Sequence, residues 1–330
     1  MSIRLIAAVG TPLTSDESLH VEGLDAHLDD QWRHGMTGCL IGGTMGALQL
    51  LTEQTYRDLV THGVRLAARR GEVLVGVGDA GFARTRERIR FANTQKVDGV
   101  VVLSPYLFRF SPAEVEDYFL ALARIATRPL YLYDLPGLTG VKLSMETVLK
   151  LAAHPNIRGI KCSGDLGWTR QLVDCAPAGF RVIVAQADLI DVLLRHGVKE
   201  HLDGVFALAP HWVARIAHAA GAENWSEAAR AQAALSSLLG TLKQYGVFAT
   251  FTALLNRRGI PGNYAPAPYR PLDPERLEAL LAEPIIREFL SETSPRRVAA
   301  PKGASFGANS DGDGEVGAAT TPAATTPRAG

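Results

Sequence analysis

The segment Arg158-Gly159-Ile160-Lys161-Cys162-Ser163-Gly164-Asp165 is an apolar run that contains one lysine and closes in a turn. Its composition predicts a buried β-strand with Lys161 inside it. Burial disfavours the charged ammonium form of a lysine, and the free amine is a nucleophile. The alternative is a lysine at the end of the strand whose long side chain carries the amine out to water.

Lysine is the rarer basic residue in this chain, with seven lysines among 34 basic residues. Six of them lie in polar or helix-flanking surroundings: Lys96, Lys142, Lys150, Lys199, Lys243 and Lys302. Only Lys161 interrupts a predicted strand. Its position therefore favours a chemical role for the amine.

Apolar, β-rich runs alternate with helical patterns along the chain. The runs are residues 4–13, 38–43, 73–78, 98–106, 129–136, 158–164, 181–186 and 203–210. Several are almost continuously apolar, which is typical of parallel strands covered on both faces. Eight strands that alternate with helices predict an α/β fold, a closed (β/α)₈ TIM barrel. An open doubly wound sheet is the main alternative, but the Gly-x-Gly-x-x-Gly turn that usually marks it does not follow the first or the second predicted strand.

Further helical patterns follow the eighth unit, at residues 224–245, 247–258 and 273–292. We therefore predict a barrel over residues 1–221 and a C-terminal helical extension over residues 222–294. Residues 295–330 are rich in Ala, Gly, Thr, Ser and Pro and have few large apolar side chains, so we predict a disordered tail there.

Composition and charge narrow the class of function. The chain has 330 residues, of which 47% are hydrophobic, and its 34 basic residues balance 34 acidic ones. Nucleic acid and anionic membrane surfaces are not expected partners of such a chain. No apolar stretch reaches the length of a membrane span, and the three cysteines lack the spacing of disulfide or zinc frameworks. We expect a soluble cytoplasmic protein that acts on small molecules.

The loop after the second predicted strand is Gly42-Gly43-Thr44-Met45-Gly46. Glycines allow close approach of the backbone and can leave several N–H groups directed at one anion, while Thr44 adds a hydroxyl. An ordinary tight turn explains the same sequence. A phosphate loop is not indicated, because the lysine and hydroxyl residue of a P-loop are missing.

The fifth predicted strand ends in Tyr131-Leu132-Tyr133-Asp134. Tyr131 and Tyr133 share one face, and Tyr133 lies nearer the carboxyl end, where the active sites of barrels form. A phenol beside Lys161 on the neighbouring strand could transfer protons. Taken alone, a tyrosine at this position is more often a packed aromatic residue than an acid–base group.

Three motifs together resemble the dihydrodipicolinate synthase and N-acetylneuraminate lyase family. They are Gly43-Thr44-Met45-Gly46, Tyr133-Asp134-Leu135-Pro136 with Thr139-Gly140, and Gly159-Ile160-Lys161 with Ser163-Gly164-Asp165. The resemblance extends over about residues 4 to 290 and looks closest to the lyase branch. It implies a (β/α)₈ barrel with an extra C-terminal helical part, and a homo-oligomer, usually a homotetramer.

The resemblance also implies class I aldolase chemistry. Lys161 would form a Schiff base with pyruvate or a related 2-oxo acid, Tyr133 would relay protons, and Thr44 with its loop would hold the carboxylate. Its small-molecule partners would be a 2-oxo acid and an aldehyde. No metal and no cofactor are expected. The substrate-binding residues that it implies are Gly43, Met45, Gly46, Tyr106, Leu138 and Asp188.

Several positions depart from the family pattern. Apolar side chains occupy positions that are polar in better-known relatives, at Met45, Leu107, Phe108, Leu138 and Leu189. If these loops converge, they predict an apolar pocket for a hydrophobic or aromatic aldehyde. Two alternatives remain open: a Schiff-base dehydratase of a 2-oxo-3-deoxy sugar acid, and a barrel that binds a 2-oxo acid without turning it over.

Overall fold

Parallel strands close into a barrel in the computed structural model, which describes residues 2–293. In this part of the chain eight strands follow one another around the barrel in sequence order, and the last pairs with the first. They are β1 (Arg4–Ala8), β2 (Gly38–Ile41), β3 (Glu72–Gly76), β4 (Gly99–Leu103), β5 (Leu130–Asp134), β6 (Ile157–Cys162), β7 (Arg181–Val184) and β8 (Glu200–Asp203). The predicted (β/α)₈ barrel is confirmed.

Helices cover the outside of the barrel and continue beyond it. Those up to the end of the eighth unit are α1 (Val21–Arg33), α2 (Glu53–Ala67), α3 (Phe82–Asn93), α4 (Pro112–Ile125), α5 (Pro136–Thr139), α6 (Met145–Ala152), α7 (Leu166–Cys175), α8 (Ile190–Arg195), α9 (Val205–Leu208) and α10 (Pro210–Gly221). The C-terminal helices are α11 (Trp225–Tyr245), α12 (Val247–Arg257), α13 (Pro274–Ala282) and α14 (Pro284–Thr293).

Local sequence signals explain where many helices begin. Ser111 and Glu114 form a capping box at the start of α4, with proline at the first helical position. Thr52 caps α2 and Asp273 caps α13, each accepting a backbone N–H from the first turn. Such caps satisfy N–H groups that have no partner within the helix.

The inside of the barrel is packed in layers. A charged layer lies at the amino ends of the strands and consists of Arg4, Glu72, Arg181 and Glu200. Above it the strands contribute an apolar layer of Ile6, Leu40, Leu74, Val101, Ile183 and Leu202. Lys161 and Tyr133 lie near the carboxyl ends, paired in register across β5 and β6. This layering leaves the carboxyl end of the barrel as the place where polar groups can meet a ligand.

The predicted position of the eighth strand was wrong. Residues 203–210 were expected to form it, but β8 is Glu200–Asp203 and the apolar run Val205–Leu208 is the short helix α9. The charged residue Glu200 does not fit an apolar strand pattern, so the pattern did not include it. In the fold its charge is compensated by Arg181 on β7 at 2.6 Å. A compensating contact between strands is not visible in a local hydrophobic pattern.

The last helical pattern also differs from the prediction. One helix was expected over residues 273–292, but the segment divides into α13 and α14 at Pro284, whose ring cannot continue a helix. Helix α2 ends at Ala67, and Arg69 just beyond it adopts a left-handed backbone conformation with φ of 68°.

Residues 2–293 belong to one compact unit. Helix α10 ends at Gly221, and Trp212 within it donates its indole N–H to Glu292 of α14 at 2.7 Å. The division at residue 221 stays a prediction, and the predicted disordered tail, residues 295–330, lies outside the described part. Across the described helices, none combines the length and apolar character needed to cross a membrane.

Candidate active site

Lys161 lies inside the barrel near the carboxyl end of β6. The residue is 5% exposed, and its Nζ donates a hydrogen bond to Tyr133 Oη at 2.9 Å. The same Nζ lies 4.0 Å from the centroid of the Tyr133 ring. Within residues 2–293 no carboxylate forms an ion pair with it. The lysine is therefore enclosed, and the alternative in which its amine reaches bulk water does not apply.

Tyr133 links Lys161 to the glycine loop. Its side chain is 6% exposed, and its hydroxyl lies 3.4 Å from Thr44 Oγ1. The Tyr133 backbone carbonyl accepts a hydrogen bond from the N–H of Ser104 at 3.1 Å, which ties this end of β5 to β4. An amine, a phenol and a hydroxyl thus form a continuous chain that can pass a proton.

The glycine loop is held tightly against the ends of β1 and β3. A side chain at Gly76 would place its Cβ 2.0 Å from the carbonyl oxygen of Gly42, so β3 needs a glycine at this contact. Thr11 Oγ1 donates to the carbonyl of Gly46 at 2.6 Å. These contacts fix the backbone that carries Gly43 and Thr44 beside Tyr133.

Met45 extends from this loop across the mouth of the barrel. A Cβ placed on Gly204, just after β8, would lie 3.0 Å from Met45 Cγ. The thioether side chain therefore fills the space above the β1–β8 side. Met45 is one of the apolar residues at positions that are polar in better-known relatives.

The other three predicted site residues are arranged differently. Tyr106 is half-buried and packs on the inner cluster that includes Tyr133; burial and the nearby Asp79 carboxylate raise its pKa. Leu138 is 70% exposed on α5, in a groove it shares with Leu107 and Phe108. The structure thus packs Tyr106 against the inner cluster that contains Tyr133 but places Leu138 on the outer rim.

Asp188 lies after β7, in a 3-10 turn formed by Ala187–Leu189. Its carboxyl is 3.8 Å from Lys243 Nζ of α11, and about half of its side chain is exposed. It is thus oriented at least partly toward the C-terminal helices. Its predicted role in substrate binding stays a prediction.

Sequence reasoning missed the structural part played by Asp134. This fully buried carboxylate pairs with Lys142 and accepts the backbone N–H of Leu143 at 3.1 Å. Lys142 also lies 3.1 Å from the centroid of the Trp168 ring. The contacts fasten the segment that follows Tyr133, and the only signal in the sequence was an acid at the end of an apolar strand.

A second missed residue is Asp203, the last residue of β8. Its Oδ1 accepts the backbone N–H of Val205 at 3.1 Å. Burial raises the pKa of this carboxyl, and the nearby Lys161 amine and the backbone N–H groups oppose that effect. Because β8 was predicted to begin three residues too late, Asp203 appeared to begin a strand, whereas it ends one.

Comparisons with known proteins agree with this geometry. The model of the dihydrodipicolinate synthetase family matches residues 1–283. The chain is 32% identical to the 4-hydroxy-tetrahydrodipicolinate synthase of Limosilactobacillus fermentum, over 84% of this chain and 89% of the relative. It is 29% identical to 4-hydroxy-tetrahydrodipicolinate synthase 1 of Streptomyces coelicolor, over 84% of this chain and 92% of that protein.

A solved structure shows the same fold. It is a prophage protein of the dihydrodipicolinic acid synthase family from E. coli K12, crystallised in complex with pyruvate. The two chains superpose with a TM-score of 0.79 at 26% sequence identity, over 84% of this chain and 96% of the other.

Proposed function

Because the chain belongs to the dihydrodipicolinate synthetase family, we propose that it is a class I aldolase or lyase whose Lys161 forms a Schiff base with pyruvate or a related 2-oxo acid. It then makes or cleaves a carbon–carbon bond to an aldehyde. One observation carries the proposal: Lys161 Nζ lies inside the barrel, 2.9 Å from the Tyr133 hydroxyl and with no acid paired to it in the described residues. A nucleophile beside a group able to transfer protons is what imine formation requires.

The proposed reaction begins when the neutral amine attacks C2 of the 2-oxo acid. The carbinolamine loses its hydroxyl as water once that oxygen takes up a proton, which Tyr133 can deliver. The iminium then withdraws electrons from C3, and loss of a C3 proton gives an enamine. C3 attacks the aldehyde carbonyl, the new alkoxide takes up a proton, and water releases the product and the free amine. Cleavage follows the same steps in reverse.

The carboxylate of the 2-oxo acid would bind at the glycine loop. Thr44 Oγ1 lies 3.4 Å from Tyr133 Oη, so a ligand held by Thr44 and the backbone of Gly43 would also contact the phenol. Orientation of this kind lowers the entropic cost of bringing C2 to the amine. The relative crystallised with pyruvate supports the choice of the 2-oxo acid.

The sequence predicted that apolar side chains would select a hydrophobic aldehyde, but the exposed side chains near the barrel mouth do not support that selection. Leu107, Phe108 and Leu138 are 79%, 68% and 70% exposed, so in this chain they do not converge over Lys161. The condition for a closed apolar pocket is therefore not met by these three residues. Leu138 lies on the outer rim, so its side chain neither selects nor excludes a carboxylate on the aldehyde.

A dehydratase of a 2-oxo-3-deoxy sugar acid is the second candidate. The Tyr133 hydroxyl, 2.9 Å from the Lys161 amine, is a group that could protonate a departing hydroxyl. In that reaction the Schiff base expels water, and no aldehyde is released. The two candidates share Lys161 and Tyr133 and differ in the bond that breaks.

A substrate panel separates the candidates. The purified protein is incubated with pyruvate plus individual aldehydes, and separately with 2-oxo-3-deoxy acids, and products are identified by mass spectrometry. Carbon–carbon bond formation or cleavage supports the aldolase, while loss of water alone supports the dehydratase. Imine formation without turnover on either panel would indicate a binding barrel and contradict the proposal.

We further propose that the protein acts in the cytoplasm as a homo-oligomer, a tetramer as the family resemblance implies. Phe110, 37% exposed, extends the exposed set of Leu107, Phe108 and Leu138 near the barrel mouth. Contiguous exposed apolar side chains are typical of protein interfaces. Light scattering after size exclusion should give a multiple of the chain mass, and replacement of Leu107 and Phe108 by serine should lower it. A monomeric wild-type protein would contradict this part.

A further inference from the structure

Asp134 is a buried acid on the face of β5 opposite to Tyr133. Tyr131 and Tyr133 pack in the cluster inside the barrel and Leu132 packs in the cluster outside it, so the alternation of the strand directs Asp134 outward. In register with Asp134 on β6 lies Cys162, which also belongs to the outer cluster. The carboxyl of Asp134 is fully buried there, and a buried charge needs a partner.

The cationic partner of this acid is Lys142. Its Nζ pairs with one carboxylate oxygen of Asp134, and the other oxygen accepts the backbone N–H of Leu143 at 3.1 Å. The same Nζ lies 3.1 Å from the centroid of the Trp168 ring on α7, the helix that follows β6. The Lys142 ammonium therefore joins the end of the strand that carries the phenol to the helix after the strand that carries the Lys161 amine.

The end of β5 depends on these side-chain contacts. Tyr133 is the last residue but one of the strand, and its carbonyl accepts the N–H of Ser104 from the β4 side. The carbonyl of Asp134 accepts the N–H of Ser163 at 3.0 Å from the β6 side, and the chain then turns into α5. Because neighbouring side chains of a strand point to opposite faces, a shift of Asp134 on the outer face also moves Tyr133 on the inner face.

We propose that Lys142 is a positioning residue for Tyr133. By holding Asp134 on the outer face of β5, it fixes the Tyr133 hydroxyl at its 2.9 Å contact with the Lys161 amine on the inner face. This inference rests on the proposed function, since it requires that Tyr133 transfers protons in the Schiff-base reaction. Its physical basis is that the rate depends steeply on the placement of the reacting groups, and a displacement of about 1 Å can lower it by about a hundredfold.

The test uses pyruvate as the sole substrate. Loss of a C3 proton from the iminium gives the enamine, and return of a deuteron from deuterium oxide labels C3, so NMR measures the rate of proton exchange. Lys142→Met should lower this rate per folded molecule by about ten- to a hundredfold, because the Tyr133 hydroxyl loses its placement. Borohydride should still trap pyruvate on Lys161 to the same final extent. Lys150→Met is the matched control, because Lys150 also pairs with a largely buried carboxylate, that of Glu116, but lies on the outer helix α6.

A double-mutant cycle separates positioning from general damage to the fold. Tyr133→Phe has no hydroxyl to position, so adding Lys142→Met to it should lower the exchange rate by less than about twofold more. Lys142→Arg, which keeps a cation able to pair with the Asp134 carboxylate, should remain within about threefold of wild type. A reduction by Lys142→Met of the same size in both backgrounds would overturn the inference, and so would a wild-type exchange rate in Lys142→Met alone.

Asp134→Asn combined with Lys142→Met keeps the experiment decisive if the single variant does not fold. The combination leaves no unpaired charge, and the amide oxygen can still accept the Leu143 N–H, so the fold should be retained. The contact between the two side chains is nevertheless lost, so exchange should again fall by about tenfold or more. A rate within about twofold of wild type would overturn the inference.

The same measurements distinguish this inference from the proposed function. If the wild-type protein forms no trapped adduct on Lys161, or forms it without exchanging C3 protons, the proposed function fails as well. If trapping and exchange both occur and removal of the Lys142 ammonium does not slow exchange, the inference alone fails.

Discussion

The two ends of the barrel interior bury charge in opposite ways. At the amino end, Arg181 contacts Glu72 at 2.5 Å and Glu200 at 2.6 Å, and Arg4 contacts Glu72 at 2.7 Å. At the carboxyl end, Lys161 has a phenol as its hydrogen-bonding partner at 2.9 Å. Paired charges at the first end stabilise the barrel, while an amine without a counter-charge at the second end is free to react.

Two tyrosines on one strand show the same contrast. Tyr131 and Tyr133 lie on the same inward face of β5, two residues apart. Tyr131 Oη accepts a hydrogen bond from Arg181 Nη1 at 2.8 Å, and Tyr133 Oη accepts one from Lys161. Identical side chains therefore belong to the structural layer in one case and to the candidate catalytic group in the other.

The largest expected effect is at Lys161. Lys161→Met should lower turnover by on the order of 10⁴-fold or more, because the attacking amine is removed. Its free energy of unfolding should be unchanged or higher, since a buried lysine is replaced by an apolar side chain of similar length. Steady-state kinetics and urea denaturation measure the two quantities. Lys150→Met, at an exposed position, is the control and should retain activity.

Arg181→Met should have the opposite signature. It leaves Glu72 and Glu200 without their shared partner, so the free energy of unfolding should fall by about 3–5 kcal/mol. Activity per folded molecule should be retained. Arg158→Met, an exposed arginine on β6, should change stability by less than about 0.5 kcal/mol. A stable but inactive Arg181→Met protein would contradict the division between the two ends.

Replacing each tyrosine by phenylalanine tests the comparison by removing one hydroxyl oxygen at each end of the barrel interior. Tyr133→Phe should lower turnover by about a hundredfold while imine formation remains detectable. Tyr131→Phe should leave turnover unchanged and lower the free energy of unfolding by about 1 kcal/mol through loss of the Arg181 contact. Equal loss of turnover in both variants would mean that Tyr133 has no special role in proton transfer.

Thr44 should give the smallest effect. Its hydroxyl is 3.4 Å from Tyr133 Oη, which is long for a hydrogen bond between hydroxyls. Thr44→Val should therefore lower turnover by only about three- to tenfold, and Thr44→Ser, which keeps the hydroxyl, should remain close to wild type. A loss in Thr44→Val as large as that in Tyr133→Phe would place Thr44 in the proton transfer itself.

The carboxyl end of the barrel was largely predictable from the sequence, because its signals are local. Lys161 interrupts an apolar strand, Tyr133 ends the neighbouring one, and the glycine loop follows β2. The parallel barrel then requires these three strand ends to lie at the same edge. The structure brings Thr44, Tyr133 and Lys161 together as that reasoning expected.

The charged layer at the amino end was not predictable, because its contacts join residues that are far apart in the sequence. Arg181 and Glu72 are 109 residues apart in the chain, and nothing near Glu200 announces that its charge is compensated. Because Glu200 is charged, β8 was predicted at the wrong position, and Asp203 was therefore assigned to the wrong end of the strand. The exposure of Leu138 was unpredictable for a similar reason, since it depends on how Asp134 and Lys142 fasten the segment around α5.

The most direct test of the central claim is to trap the Schiff base on Lys161. The protein is incubated with pyruvate and borohydride, digested with trypsin and analysed by mass spectrometry. The account predicts that the reduced pyruvate adduct appears on Lys161, in a fragment of residues 159–170 left uncleaved at the modified lysine, and is absent from Lys161→Met. An unmodified Lys161 across a series of 2-oxo acids, or equal labelling of exposed lysines such as Lys150, would contradict it.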